Sequence, residues 1–151
     1  MQVQEVSGAE LGTLARMLRK MDFFSPLTVG QIDQVLPHVA LVSCEKGETI
    51  FKQGAVGDSF WIVYTGSVAV RVKSGFFSFS RSVTTLGPGA FFGEIALISD
   101  EPRTATIVAA EPTQLFCLVA RDFKFVLAEN PAAREEMKRI AERRKFFQKV
   151  K

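Results

Sequence analysis

The residue types best suited to chemistry lie in one stretch, Phe91 to Ile107, which reads FFGEIALISDEPRTATI. Glu94 offers a carboxylate that can accept a hydrogen bond from a sugar hydroxyl. Arg103, nine positions on, is a permanent cation whose planar donor fork matches phosphate oxygens. Gly93 has no Cβ, so the backbone there can come close to a ligand. Glu94, Ile95 and Ala96 can open a short helical turn, and free N–H groups at such a turn attract anions. An acid and an arginine flanking a mini-helix make a compact site for a sugar phosphate. They equally fit a surface Glu–Arg pair beside a turn, and spacing by itself does not separate the two.

The flanking sequence supplies strands to hold such a site. From Val39, short β-rich runs alternate with Gly, Pro, Asp and Ser. They predict strands near 39–43, 49–52, 60–65, 68–73, 81–86, 91–92, 104–109 and 114–119. Eight short strands separated by turn signals indicate a sandwich, jelly roll or barrel. Eight of the 11 glycines fall between Gly47 and Gly93, at turns such as Lys46-Gly47, Gly57-Asp58, Gly66-Ser67 and Gly87-Pro88-Gly89. There is no alternation of strand and helix, which disfavours a Rossmann or P-loop fold.

Helices bracket the strands. Ser7 and Glu10 form a capping-box pattern, followed by Leu11, Leu14, Ala15 and Leu18 at helical spacing. Thr28 and Gln31 repeat it ahead of Val29, Ile32, Val35 and Leu36, and Pro37 ends that helix. After Val119 the pattern predicts a short helix over 121–128. A longer one follows, with Asn130 as its cap and Pro131 in its first turn. Ala133, Met137, Ile140 and Phe147 share one face of it, with Arg144 between the last two, so this helix needs a partner surface.

Composition bounds the rest. The chain has 151 residues, 47% of them hydrophobic and 23% charged, which suits one domain with a real core. A single histidine, His38, excludes sites built from several imidazoles, including most His-ligated metal centres and the metal-binding jelly-roll enzymes. Cys44 and Cys117 lie far apart with no CxxC pair, so two reduced thiols are expected and no metal. No nucleophile–base pair is apparent, and no enzyme is expected. There is neither a signal-peptide pattern nor an apolar run near the ~20 residues of a membrane span, so a cytoplasmic protein is expected. Residues 134–151 carry eight basic and three acidic side chains against a whole-chain charge of +3. The rest of the chain is thus net acidic, and contact with nucleic acid is not expected; the basic run reads as a solvated helix face, or else as a contact for acidic lipid, nucleic acid or a partner. Phe76, Phe77 and Phe79, in the stretch SGFFSFS, are either a docking or homodimer patch at a hairpin tip or aromatics folded over the strands.

The segment Phe92-Gly93-Glu94-Ile95-Ala96-Leu97 with Arg103-Thr104-Ala105-Thr106-Ile107 resembles the phosphate-binding cassette of cyclic nucleotide-binding domains. Upstream, Lys46-Gly47-Glu48-Thr49-Ile50-Phe51, Gln53-Gly54, Gly57-Asp58-Ser59-Phe60-Trp61-Ile62-Val63 and Gly66-Ser67-Val68 are similar to the same family, as is the leader Leu18 to Leu27. The resemblance covers about residues 10–130, and these elements in this order make it specific.

The resemblance implies an α+β fold: an eight-stranded β-roll, jelly-roll-like, with N-terminal helices and C-terminal hinge and lid helices. In this reading one domain comprises a helical segment 1–38, a roll 39–120 with its cassette at 91–107, and C-terminal helices 121–151. It implies a ligand, cAMP or cGMP, and no cofactor. By the resemblance, Arg103 binds the exocyclic phosphate oxygens and Glu94 accepts from the ribose 2′-hydroxyl. Gly93, Ile95 and Ala96 contribute backbone groups, and Thr104, followed by Ala105, adds its N–H and its hydroxyl. Asp58 resembles a family acid that holds the arginine, though Gly57-Asp58 also reads as a turn. Thr104 permits cGMP without requiring it. Ile140, Arg143, Arg144 and Phe147 are candidates to cover the base; they also fit a helix that simply packs on the strands while Arg144 reaches solvent.

The function implied is a sensor that passes ligand binding through its last helix to an attached effector or a partner protein. No helix-turn-helix is read beyond that helix. This leaves a regulatory module of a channel, kinase or exchange factor, or a free-standing receptor. The alternative is an interaction scaffold that keeps the roll and has lost the ligand. On the sensor reading, Arg103→Ala and Glu94→Ala each lower cyclic nucleotide affinity at least about tenfold by calorimetry, the loss expected for a charged hydrogen bond. Unchanged binding by both variants overturns the assignment.

Overall fold

The computed structural model describes residues 1–73 and 80–150, the side chains of 80–83 and 144–150 excepted. Phe76, Phe77 and Phe79 lie outside the described residues.

The chain opens with β1 (Gln2–Gln4), α1 (Gly8–Lys20), a 3-10 turn (Asp22–Phe24), α2 (Val29–Val35) and a second 3-10 turn (Leu36–His38). Strands β2 (Val39–Cys44), β3 (Thr49–Phe51), β4 (Ser59–Thr65), β5 (Val68–Lys73), β6 (Ser80–Leu86) and β7 (Phe91–Phe92) follow. A third 3-10 turn (Glu94–Leu97) precedes β8 (Thr106–Ala109), β9 (Thr113–Val119), α3 (Ala120–Leu127) and α4 (Pro131–Val150). One sheet has the order β1-β2-β9-β4-β7 and the other β3-β8-β5-β6, with every pairing antiparallel. This is an α+β fold, a β-roll flanked by helices.

All eight strand runs read from the sequence are present, and β1 adds a ninth. Its three residues are exposed, and one valine between two glutamines is too short a pattern to announce a strand. It exists because β2 offers an edge, on which Val3 pairs with Val42. The expected strand 104–109 begins at Thr106, because the backbone before it is tied to another loop, as described below.

The five-stranded sheet separates two apolar layers by the period-two rule. Phe60 and Ile62 of β4, Leu41 of β2, and Phe116 and Leu118 of β9 face the helices. Trp61 and Val63, Val42 and Cys44, Phe92 and Leu115 face the interior of the roll, with Val68, Ile107 and Ala109 of the other sheet opposite. Strand β4 is therefore buried on both faces from Ser59 to Val63.

The helices begin where their caps predict. Glu10 N–H donates to Ser7 Oγ at 3.2 Å and Ser7 N–H to Glu10 Oε1 at 2.8 Å. Thr28 and Gln31 repeat the exchange at 2.9 and 3.2 Å. Ala133 N–H donates to Asn130 Oδ1 at 3.0 Å, which starts α4. Buried Ala133, Met137, Ile140 and Ala141 then join α4 to the helical layer.

Phenylalanines tie that layer to the sheet. Phe60 lies 5.2 Å from Phe24, 5.7 Å from Phe91 and 6.3 Å from Phe23, ring centre to ring centre. Phe24 meets Phe123 of α3 edge-on at 5.8 Å. Aromatic pairs in these orientations add to simple area burial. Phe60→Ala leaves a cavity at this junction, and a loss of about 3–5 kcal/mol is expected in denaturant unfolding.

Candidate functional site

The segment from Phe91 to Ile107 leaves the five-stranded sheet, turns, and returns into the other sheet as β8. Gly93 makes the turn at φ +78°, a left-handed conformation that side-chain-bearing residues rarely adopt. Glu94–Leu97 then form a single 3-10 turn, closed by Ala96 N–H donating to Gly93 O at 3.1 Å. A loop carries the chain to Arg103, whose main chain is held on both sides: Gly54 N–H donates to Arg103 O, and Arg103 N–H to Ala55 O, each at 2.8 Å. Gly57 approaches the same loop so closely that a Cβ there would lie 3.0 Å from the Glu101 carbonyl oxygen. That approach sets Asp58 and Ser59 beside Arg103.

The Arg103 side chain is 5% exposed. Its Nη2 donates to Ser59 O at 2.8 Å and to Ser59 Oγ at 2.9 Å. Asp58 Oδ1 stands 3.6 Å from the same nitrogen. The guanidinium carbon sits 3.9 Å from the centre of the Phe51 ring, a cation–π contact. Burial pulls the guanidinium below the ordinary arginine value, and the charges of Asp58 and Glu94 oppose that shift. The group stays cationic at neutral pH. Its Nε–H is buried and meets no hydrogen-bond acceptor among the described residues.

These features fit an anionic ligand. A buried charged donor left unpaired costs at least about 1–3 kcal/mol, which an anion oxygen placed at Nε recovers. Gly93 keeps the space beside the guanidinium clear, since a Cβ there would stand 2.8 Å from Arg103 Nη1. Glu94, 6% exposed, lies close enough to act on the charge of Arg103.

The structure thus brings Gly93, Glu94, Arg103 and Asp58 together. Ile95 leans its side chain on the helix-side core and Ala96 is buried, so only their backbones can serve the site. Thr104, next in the chain after Arg103, is exposed, and Ala105 is half-buried. Asp58, expected to hold the arginine, stands 3.6 Å from Nη2 with its side chain 77% exposed. The close hydrogen bonds come from Ser59, which the sequence reading had not singled out. Its signal was parity, because Ser59 shares the inward phase of β4 with Trp61 and Val63. Ile140 is buried in the helical layer and Arg143 is exposed. The side chains of Arg144 and Phe147 lie outside the described residues.

Cys117, facing inward from β9, has its thiol pushed up to about 11 by burial and the nearby Asp58 charge, with Arg103 and a hydrogen bond to Ser59 opposing. It is a neutral neighbour of the arginine at physiological pH. No group of three or more metal-ligating side chains occurs among the described residues, and no helix there is long and apolar enough to cross a membrane.

Residues 41–130 match the cyclic nucleotide-binding domain family, and the chain belongs to it. A cAMP-dependent protein kinase regulatory subunit of Yarrowia lipolytica is 33% identical over 132 residues, covering 87% of this chain and 34% of that protein. A cyclic nucleotide-gated potassium channel of Mesorhizobium japonicum is 30% identical over 138 residues, covering 91% of this chain and 37% of the channel. The chain therefore spans about a third of the length of these relatives. Among solved structures, the sensor domain of the Pseudomonas aeruginosa transcriptional regulator DNR superposes with a TM-score of 0.75 at 22% identity, covering 93% of both chains. The regulatory domain of Toxoplasma gondii PKA, crystallised with cAMP, gives 0.74 at 24% identity, covering 88% of this chain and 50% of that one.

Gly93→Ala forces a Cβ into the left-handed region and against Arg103 Nη1 at once. The first effect alone costs about 1–2 kcal/mol. A stability loss of at least that size is expected in thermal or denaturant unfolding, together with weaker ligand binding; a neutral substitution contradicts the cradle.

Proposed function

We propose that this chain senses cAMP or cGMP and does no catalysis itself. The observation that carries the reading is the buried Arg103 cation with its unpaired Nε beside Glu94 and Gly93. Arg103 takes the exocyclic oxygens of the cyclic phosphate, and the single negative charge of the ligand matches the single positive charge of the arginine. Glu94 accepts a hydrogen bond from the ribose 2′-hydroxyl. The backbones of Gly93, Ile95 and Ala96 follow the sugar and phosphate, and Thr104 and Ala105 border the phosphate from the other side. The kinase regulatory subunit and the channel, named for cAMP and cyclic nucleotides, support this ligand class.

The output runs through the C-terminal helices to an attached effector or a partner protein in the cytoplasm. The helical segment 1–38, the roll 39–120 and the helices 121–151 work as one sensing unit. Leu97 and Ile98, at the end of the cassette turn, share a buried cluster with Phe123, Val126 and Leu127 of α3 and with Met137 and Ile140 of α4. Lys124 Nζ also meets Asp100 of the cassette loop at 2.9 Å. A shift of the cassette on binding is therefore felt by both helices. For Ile140 to cover the base, α4 has to leave its seat in the helical layer. A ligand drives that change only as far as it binds the rearranged form better. A hundredfold preference supplies about 2.7 kcal/mol.

Calorimetry and thermal shift with cAMP, cGMP, ATP and 2′-deoxy-cAMP test this. A cyclic nucleotide at about 100 times its Kd is expected to stabilise the fold by about 2.7 kcal/mol, and ATP to have no such effect. Where cAMP binds, the 2′-deoxy analogue is expected to bind at least about tenfold more weakly, having lost a hydrogen bond to a charged acceptor. No response to either cyclic nucleotide returns the chain to the scaffold reading.

A further inference from the structure

Three polar groups converge on the Ser59 hydroxyl, in a residue 8% exposed. Arg103 Nη2 lies 2.9 Å from Oγ, Trp61 Nε1 3.0 Å and Asp58 Oδ1 3.2 Å. Chemistry fixes the direction of each bond. A guanidinium and an indole nitrogen only donate, so both donate to Oγ, and a carboxylate only accepts, so the single hydroxyl proton goes to Asp58. Two lone pairs and one proton are all a serine hydroxyl has, and all are in use. The Cys117 thiol borders the same hydroxyl, and any bond it makes competes with one of these three.

Ser59 also accepts from Nη2 through its carbonyl oxygen at 2.8 Å, so both protons of that nitrogen are taken by one residue. The donors left are Nε, which has no partner among the described residues, and Nη1, which lies against the Cβ-free face of Gly93. Ser59 thereby sets the rotation of the guanidinium and decides which of its N–H groups a ligand meets. On the other side of the hydroxyl stands Trp61, the one tryptophan of the chain, 7% exposed and stacked on Phe92 with the rings 4° from parallel. Its ring is fixed, so a change in its surroundings acts mainly through Nε1.

We propose that the Ser59 hydroxyl is the positioning group for Arg103 and couples the guanidinium to the Trp61 indole, so that occupation of the site by a cyclic phosphate registers in the emission of this tryptophan. The cyclic phosphate rests on the function proposed above; the Trp61–Ser59–Arg103 link does not.

The test is a double-mutant cycle read by tryptophan emission in the ligand-free full chain, with calorimetry alongside. Arg103→Lys is expected to shift the emission when Ser59 is present and to leave it unmoved in the Ser59→Ala background. Ser59→Ala alone is expected to move the emission to shorter wavelength, and Ser59→Thr, which keeps the hydroxyl, to leave it near its original position. Equal shifts in both backgrounds, or an emission indifferent to Ser59→Ala, overturn the link. Ser59→Ala is also expected to weaken cAMP or cGMP binding about tenfold, the size of a lost charged hydrogen bond, with Ser59→Thr close to the unmodified chain. Full affinity in Ser59→Ala overturns the positioning role. If the unmodified chain binds neither nucleotide, the functional reading falls, and the emission cycle still decides the link by itself.

Discussion

A guanidinium taken out of water has to be surrounded by acceptors and opposing charge, and the arrangement of this protein follows from how Arg103 meets that demand. Two oxygens of Ser59 take one nitrogen, the Phe51 ring covers the face, and Asp58 and Glu94 supply negative charge. Nε is left buried without a partner among the described residues, and Nη1 faces Gly93. A site complete in itself would have no use for a ligand. One with a buried donor still lacking an acceptor favours an anion.

The roll exists to hold these groups in place. Burial of β4 on both faces fixes Ser59 and Trp61 on the inner side while Phe60 and Ile62 anchor the helices on the outer side. The main-chain pairs between Arg103 and residues 54–55 tie the cassette to the loop that carries Asp58 and Ser59. On the outer side, Leu97 and Ile98 belong to the same buried apolar cluster as residues of α3 and α4. The Lys124–Asp100 ion pair also joins α3 to the cassette loop, but Asp100 is almost fully exposed, so water screens it and it adds little beside the apolar cluster.

Much of this was legible in the residues. Period-two runs and turn glycines gave the strands, and Ser7, Thr28 and Asn130 gave the helix starts, because caps and alternation are local properties. Glu94 and Arg103 stood out by type and spacing. What the sequence did not give depends on contacts between distant residues. Strand β1 is made by the free edge of β2 rather than by its own three residues. Ser59 is an ordinary serine until the fold sets it beside a guanidinium 44 positions away in sequence. The placement of Ile140 in the helical layer, with Arg143 in solvent, likewise depends on which surface α4 meets.

The central claim is that the unpaired Nε–H of Arg103 is the donor awaiting a cyclic phosphate. Side-chain nitrogen NMR of Arg103 during titration with cAMP or cGMP tests it directly. At saturation the account predicts a large shift of the Nε–H resonance and a through-hydrogen-bond coupling to the ligand phosphorus. A nucleotide that binds tightly while this resonance stays where it was would contradict the account.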